Sequence, residues 1–252
     1  MTREVLPASD KLRDHVDAAL PGMFSLALLA CGSRLDAHRH VAATLRAIDH
    51  VDATVMDGHA LLGRLVATLE EALGRRASQR FVVLDNLLRA DASQAVNLDA
   101  PPISGDRTRV PALLAALKES CLVAALGCVP PGVRLAFILA DVLGHSLSVT
   151  AMLLRATETA VRVKLIRARR PLEDYLRPRC GHLAARNFCS CAGRLGVALA
   201  AGFVELPPGP ASPPDAAPPE RHVVDLYRSL AIQIDERLRG ELLAALSDDP
   251  AE

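Results

Sequence analysis

The sequence predicts an all-α protein made of two small helical modules joined by a linker. Apolar residues make up 50% of the 252 residues, and most of them are Ala, Leu and Val. Ala and Leu are strong helix formers, whereas the aromatic residues that favour strands amount to only 3%. Apolar residues also recur at three- and four-residue spacing along several stretches, which indicates amphipathic helices.

Breaks in this pattern divide the chain into seven segments, and its length suits one large or two small domains. The segments are an N-terminal lead-in (1–21), a helical module (22–80), a linker (81–111), a helix-turn-helix module (112–179), a Cys/His-rich segment (180–206), a Pro-rich linker (207–219) and a C-terminal helix with its tail (220–252).

The amino-terminal part is predicted to form a short helix and then a longer, interrupted one. Residues 11–21 form a short amphipathic helix that breaks at Pro21-Gly22, because proline disrupts a helix interior. Residues 23–48 are helical in pattern, with a break near Gly32-Ser33 and a restart after Asp36.

A second long helix is predicted over residues 57–76, with Asp57 as its N-cap. Its apolar face consists of Leu61, Leu62, Leu65, Leu69 and Leu73. Residues 81–111 contain prolines and a glycine among scattered aspartates, so a short helix is expected there only over 81–89.

Five further helices are predicted, and the first begins at Pro111, a favourable residue for a first helical turn. They cover about residues 111–128, 130–143, 147–154, 157–175 and 221–246, and Gly144 ends the second. The third and fourth form a short helix, a tight turn and a longer helix. This is the layout of a helix-turn-helix, whose second helix enters the DNA major groove.

Basic residues concentrate in this motif although the formal net charge of the chain is zero. Between Arg155 and Arg179 there are eight basic and three acidic residues, which points to one anionic partner surface. In residues 157–170 the charged side chains fall largely opposite the apolar ones. An Arg-rich face both neutralises phosphates and donates paired hydrogen bonds to guanine. The alternative is a solvated basic face on an ordinary helix.

Three runs in this region follow a known pattern. They are Val129-Pro130-Pro131-Gly132-Val133-Arg134, Leu139-Ala140-Asp141-Val142-Leu143-Gly144-His145-Ser146 and Ala160-Val161-Arg162-Val163-Lys164-Leu165-Ile166-Arg167-Ala168-Arg169. Together they resemble region 4 of the extracytoplasmic-function (ECF) sigma factors, a subfamily of the sigma-70 family of bacterial RNA polymerase sigma factors. One departure is Arg155, which stands where the family has the turn glycine.

The resemblance implies that this module binds double-stranded promoter DNA at an element of the −35 type. The residues expected to contact the DNA are Glu158, Thr159, Arg162, Lys164, Arg167, Arg169 and Arg170.

The amino-terminal half carries a second set of matching residues. These residues are similar to the skeleton of the family's region 2. They are Leu26–Gly32, Ser33-Arg34-x-Asp36-Ala37, and Leu62-x-Arg64-Leu65 followed by Arg75-Arg76. The resemblance covers roughly residues 22–200, and implies core RNA polymerase as a partner and an anti-sigma or other regulatory protein as a further one.

Two features of this half depart from the family. His38, Arg39, Ala42 and Ala43 replace the acidic and glutamine residues with which the family holds the polymerase. Leu61 and Gly63 stand where the family has aromatic residues, which stack on flipped-out bases during DNA melting.

The Cys/His-rich segment predicts a zinc site. Cys180, His182, Cys189 and Cys191 provide three thiols and an imidazole with a turn between two pairs, which suits a tetrahedral zinc ion. The alternative is a folded cap in which the cysteines are buried as small hydrophobic residues. Cys31, Cys121 and Cys128 lie in apolar helical runs and are expected in the core.

The sequence does not predict an enzyme, because it lacks a glycine-rich phosphate loop and the Gly-x-Ser-x-Gly and His-Glu-x-x-His motifs. No signal peptide is evident, and apolar runs such as Met23–Cys31 are shorter than the roughly 20 residues that span a bilayer. A cytoplasmic protein without membrane contact is therefore expected. It acts either as a sigma factor or as a sigma-like regulatory or assembly protein that works through protein contacts.

Overall fold

The fold is given by a computed structural model that describes residues 8–48, 57–74, 80–82, 84, 109–200, 202–204, 222–230 and 232–246. Within these ranges the regular structure is helical, and the only β-type pairing is an isolated bridge between Cys180 and Cys189. The predicted all-α class is confirmed. The helices are α1 (Ala8–Cys31), α2 (Arg34–Arg46), α3 (Gly58–Gly74), α4 (Val110–Gly127), α5 (Pro131–Phe137), α6 (Leu147–Leu153), α7 (Glu158–Leu176), α8 (Cys191–Ala200), α9 (Val223–Arg228) and α10 (Glu236–Ala244).

The chain forms two compact units that are not consecutive in sequence. The first contains Met1–Ala77, Pro131–Lys164 and Ile232–Glu252, and the second contains Ser78–Pro130 and Leu165–Ala231. The region predicted as a helix-turn-helix module, 112–179, therefore contributes residues to both units.

In the first unit, α1 packs against α2 and α3, and α3 also packs against α5 and α6. The core includes Met23 and Phe24 of α1 and Leu61, Leu65 and Leu69 of α3, all fully buried. The α3 leucines are those of the predicted apolar face, which is therefore confirmed. Asp57 caps α3 as predicted, because its Oδ1 accepts a hydrogen bond from the amide of Ala60 at 2.8 Å.

The predicted helix break at Pro21-Gly22 is wrong. α1 continues through Pro21 from Ala8 to Cys31. A proline removes one backbone hydrogen bond and crowds the carbonyl of the preceding turn, but the buried residues Val16, Leu20 and Phe24 form one face on both sides of it. The packing of that face maintains the helix.

The predicted break near Gly32-Ser33 is confirmed, and the restart comes earlier than expected. Gly32 has a positive φ of 82°, and Ser33 is the N-cap of α2, accepting a hydrogen bond from the amide of Asp36 at 3.3 Å. Asp36 therefore lies inside the first turn of α2, where its negative charge suits the helix dipole.

The second unit is built on the packing of α4 against α8. Leu113 and Leu117 of α4 form a core with Leu195 and Ala198 of α8 and with Val204. On α4, the Leu122 carbonyl accepts a hydrogen bond from Tyr227 Oη at 2.9 Å.

Among the described residues, α4 is the one helix whose length and composition would allow it to cross a membrane. This helix is 18 residues long, which is longer than apolar runs such as Met23–Cys31 that the sequence analysis considered. A core helix meets the same criterion, and Leu113 and Leu117 of α4 lie in the core of the second unit. On the same helix, Lys118 Nζ donates to Ser229 Oγ at 2.8 Å.

The single helix predicted over residues 221–246 is wrong. The chain forms α9 and α10, with an interruption between Arg228 and Glu236. Asp235 accounts for the restart, because its Oδ1 accepts a hydrogen bond from the amide of Leu238 at 2.7 Å and caps α10. The two helices belong to different units. The Pro-rich linker 207–219 and residues 85–108 lie outside the described residues.

Candidate nucleic-acid interface and cysteine cluster

The turn between α6 and α7 keeps its geometry without a glycine. Arg155 has a positive φ of 47°, in the left-handed region that glycine usually occupies. The amide of Arg155 donates to the Met152 carbonyl at 3.2 Å, and that of Ala156 donates to the Ala151 carbonyl at 2.9 Å. These two bonds are those of a Schellman motif, which ends a helix by reversing the chain direction.

Caps fix the first turns of both helices of the motif. Ser146 Oγ accepts a hydrogen bond from the amide of Val149, and Thr157 Oγ1 accepts one from the amide of Ala160, each at 3.2 Å. The helix before them ends in a π-helical turn, Ile138–Val142, that places Asp141 in the interior. Burial lowers the pKa of the adjacent His145, and His59, whose ring centroid lies 5.9 Å away, lowers it further.

The charged face of α7 is exposed. Val161, Leu165, Ala168 and Leu172 are buried and define the inner side of the helix. Among the residues expected to contact DNA, Lys164 is half-buried, and the exposed ones are Glu158, Thr159, Arg162, Arg167, Arg169 and Arg170.

The outer side of α7 combines apolar and cationic side chains. At about 100° per residue, Val163 and Arg170 lie opposite the buried side, with Ile166 beside them. Val163 is 44% exposed and Ile166 is 63% exposed. Arg162 and Arg167 lie on either side of this apolar strip. The face is therefore more apolar than its charge suggests, and the sequence analysis missed the part that Val163 and Ile166 play in it.

Ion pairs along the helix hold two of the arginines. Arg162 Nη2 lies 3.8 Å from Glu158 Oε2, and Arg170 Nε lies 3.8 Å from Asp174 Oδ2. Both pairs have the four-residue spacing of neighbours on a helix surface. Such exposed pairs are weak, so the guanidinium groups can exchange them for phosphates or base edges.

After α7 the chain forms a tight loop closed by the backbone bridge of Cys180 and Cys189. The amide of Gly181 donates to the Cys189 carbonyl at 2.8 Å, and the amide of Cys189 donates to the Arg179 carbonyl at 3.1 Å. A Cβ atom on Gly181 would lie 2.9 Å from that same Cys189 carbonyl, so only glycine fits. Asn187 Nδ2 completes the loop by donating to the Cys180 carbonyl at 2.8 Å.

The four predicted zinc ligands are neighbours but do not share one centre. His182 Nε2 lies 3.4 Å from Cys191 Sγ, while Cys180 and Cys189 are joined through their backbones. Within the described ranges, no group of three or more His, Cys, Asp or Glu side chains is arranged to hold a metal ion. Zinc binding by these four residues stays a prediction.

Two further residues belong to the cysteine cluster, and the sequence analysis missed this. Burial strongly raises the pKa of the Cys121 thiol, and the neighbouring Cys189, Cys191 and Cys180 raise it further, while the charge of Arg194 lowers it. Cys121 was expected simply as a core residue of its helix. The thiols near Cys121 come from a distant part of the chain, so no local pattern could have linked Cys121 to them. Arg194 could not be identified because α8, the helix that carries it, was not predicted.

Comparison with models of known protein families, with curated proteins and with solved structures finds no match to this chain.

Proposed function

We propose that this chain is a sigma-factor-like transcription initiation protein that binds double-stranded promoter DNA through α7 and associates with core RNA polymerase. The observation that carries the proposal is the outer face of α7, where arginines lie on both sides of the exposed Val163 and Ile166.

The side chains on this face of α7 suit the recognition of a specific base sequence, and not only the binding of the phosphate backbone. Arg162 and Arg167 can donate paired hydrogen bonds to guanine, and exposed aliphatic groups such as Ile166 contact the methyl group of thymine. Glu158, paired with Arg162, can accept a hydrogen bond from the cytosine amino group. A purely electrostatic surface would not need the apolar strip.

The turn before α7 supports the same proposal. A helix-turn-helix needs a sharp chain reversal so that its second helix projects into the groove. Arg155 adopts the left-handed conformation that this reversal requires, so the glycine that the family has there is replaced without loss of the turn.

The decisive experiment selects the DNA sequences that the chain binds and tests in parallel whether the chain associates with RNA polymerase. The purified chain, with and without bacterial core RNA polymerase, is incubated with a random duplex library, and retained sequences are determined. We expect one sequence motif to be enriched, specific transcripts from templates that carry it, and co-purification of core polymerase with the chain. Enrichment of no motif in either arm would contradict the proposal.

The matched control is the variant Arg162→Ala/Arg167→Ala/Arg170→Ala. It should still co-purify with core polymerase, because the polymerase contacts are attributed to the amino-terminal helices, but it should enrich no motif. Loss of both activities would indicate unfolding, which the helical circular dichroism signal detects.

A second candidate function is a sigma-like regulatory or assembly protein that acts through protein contacts and does not open promoters. It is favoured by the position of α10, which packs on α1 and α2 within the first unit. Arg34 Nη1 donates to the Gln233 carbonyl at 3.4 Å, and His38 Nε2 lies 3.7 Å from Glu241 Oε2. In the family resemblance, this part of α2 belongs to the polymerase-binding segment. Binding of the selected DNA motif without co-purification of polymerase would support this second function.

A further inference from the structure

Phe188, in the loop after α7, is the one exposed Phe or Tyr side chain of the protein. The chain contains five Phe, two Tyr and no Trp, and all of them lie in the part that the structure describes. The others are buried or half-buried, and Phe81, for example, stacks on Tyr175 with ring centroids 4.6 Å apart. Phe188 is 66% exposed. Since aromatic side chains are enriched where proteins bind partners, this ring marks a candidate binding surface.

Hydrogen bonds on both sides of Phe188 fix the backbone that carries its ring. On one side, Asn187 Nδ2 donates to the Arg177 carbonyl at 2.8 Å. On the other side, the amide of Cys189 donates to the Arg179 carbonyl at 3.1 Å. Phe188 therefore lies beside the backbone of both arginines. Because this backbone is already held in place, little conformational entropy is lost when a ligand contacts the ring.

The chain around Phe188 is rich in arginine and has no acidic residue. Residues 177–204 contain four arginines and one histidine, and neither Asp nor Glu. Of these arginines, Arg177 and Arg186 are exposed. Arg177 Nε lies 2.8 Å from Glu173 Oε2 of α7, in an exposed pair that is weak enough to be exchanged for another anion. The exposed ring is thus accompanied by positive charge, which suits a polyanion.

We propose that the Phe188 loop, residues 177–190, binds single-stranded nucleic acid. One unpaired base stacks on Phe188, and Arg177 and Arg186 hold the phosphates next to it. Stacking of a base on an aromatic side chain within a basic surface is a common way of binding single strands, and it tolerates every base. Guanidinium groups donate two hydrogen bonds at once to a phosphate. A duplex offers no such partner, because its bases are already stacked on one another.

This site is separate from the duplex contact proposed for α7. The exposed apolar groups of α7 are the aliphatic side chains of Val163 and Ile166, which suit the methyl groups in a groove. The Phe188 loop instead presents a flat ring, and its arginines lie outside α7. Binding of a single strand therefore does not depend on the proposed function, and the two activities can be lost separately.

The first experiment finds the residue on which the base stacks. The full-length protein is mixed at low salt with a thymidine oligonucleotide that carries one 5-iodouracil, irradiated, and analysed by mass spectrometry. Excited 5-iodouracil crosslinks preferentially to an aromatic side chain stacked on it, so we expect the crosslink at Phe188. A uridine oligonucleotide with the same label, tested in parallel, shows whether the site takes DNA, RNA or both.

The second experiment compares the affinities of variants for the same oligonucleotides. Phe188→Leu keeps an apolar side chain without a ring, and should bind about 5–100-fold more weakly and lose the crosslink. Phe188→Tyr keeps the ring and should retain both. Leu35→Ala, which truncates an exposed apolar residue of α2, is the matched control and should bind as the parent protein does.

The arginines are tested by the dependence of affinity on salt. Arg177→Ala and Arg186→Ala should each reduce the slope of log affinity against log salt by about 0.7, the value for one phosphate contact of a single strand. Phe188→Leu should leave this slope unchanged, because it removes no charge.

Further variants separate this site from the duplex contact of α7. The variant Arg162→Ala/Arg167→Ala/Arg170→Ala should still give the crosslink at Phe188. Phe188→Leu should still select the duplex motif, if α7 selects one.

Three results would overturn the proposal. They are the absence of binding of either oligonucleotide to the parent protein, crosslinks at other residues without one at Phe188, and equal affinity of Phe188→Leu and the parent protein. In the first case the exposed ring would be a contact for a protein partner instead. The crosslink is measured on the unmodified protein, so it decides even if a variant does not fold.

Discussion

Arg239 of α10 and Asp17 of α1 form a two-pronged ion pair. Arg239 Nε donates to Asp17 Oδ1 at 2.6 Å, and Nη2 donates to Oδ2. The hydrogen bonds from Arg239 hold the pKa of Asp17 below its ordinary value of 3.8. Such paired geometry is stronger than an ordinary surface ion pair, and it joins segments from opposite ends of the chain.

We expect Asp17→Asn to lower the free energy of unfolding at neutral pH, and the difference from the parent protein to become smaller as the pH falls below about 3.8. The pKa of Asp17 is lower in the folded state, so the unfolded chain binds the proton first. The ion pair therefore stabilises fully above about pH 3.8, and its contribution is lost as the pH falls through the folded value. Urea unfolding between pH 3 and pH 7 measures both proteins.

The matched control for this pair is Arg237→Ala. Arg237 pairs with Glu241 inside α10 and, among the side chains that the structure describes, forms no ion pair with α1, so its removal should change stability little at any pH. If the deficit of Asp17→Asn were undiminished at pH 3, the stabilisation would not come from the charge of Asp17.

Arg155 leads to a second prediction, because a left-handed conformation is unfavourable for any residue with a Cβ atom. We expect Arg155→Gly to raise the free energy of unfolding by about 0.5–1 kcal/mol, the cost of the left-handed conformation less the greater chain entropy of glycine. Arg155→Val should lower it by about 1 kcal/mol or more, since β-branched residues fit that region worst. Thermal and urea unfolding measure both variants.

Arg155→Asn separates conformation from charge. It removes the same positive charge as Arg155→Gly but tolerates the left-handed region less well than glycine, so its stability should lie between those of the parent and the glycine variant. A glycine variant less stable than the parent would mean that the Arg155 side chain makes a stabilising contact.

The sequence predicted the helices whose signals are local. Asp57 as N-cap and the leucines of α3 follow from spacing alone, and so does the pair α6 and α7. The predicted helix boundaries were wrong where contacts between residues far apart in sequence determine whether a helix continues. Helix α1 passes through Pro21 because its buried face continues, and the predicted C-terminal helix is divided at residues that cap two separate helices.

The same limit applies to the two candidate sites. The arginines of α7 could be identified because their exposure follows from one helical period. Cys121 and Arg194 could not, because their relation to the other thiols depends on the packing of α4 on α8, which joins residues far apart in sequence.

Gly181 gives a third prediction about the loop of the cysteine cluster. Gly181→Ala should lower the free energy of unfolding by roughly 1–3 kcal/mol, because its Cβ would displace the Cys189 carbonyl from the backbone bridge. Gly196→Ala is the control: no atom lies within 4 Å of the added carbon, and the site is inside α8. It should stabilise by about 0.5–1 kcal/mol. Equal effects of the two substitutions would refute the role assigned to Gly181.

The last prediction concerns the DNA contacts of α7. We expect Arg162→Ala and Arg167→Ala each to weaken binding to the selected duplex by about 1–3 kcal/mol and to relax the preference at one base position. Their side chains extend from opposite edges of the exposed strip, so the two variants should affect different positions. Fluorescence anisotropy with single-base variants of the duplex measures both effects.

The controls for this prediction separate base reading from charge. Arg13→Ala removes an exposed arginine of α1 and should leave the affinity unchanged at equal salt. Ile166→Ser keeps every charge of α7 and should reduce discrimination for thymine while the dependence of affinity on salt stays the same. If Arg162→Ala and Arg167→Ala weakened all duplexes equally, the arginines would contact phosphates only, and the specificity assigned to this face of α7 would be wrong.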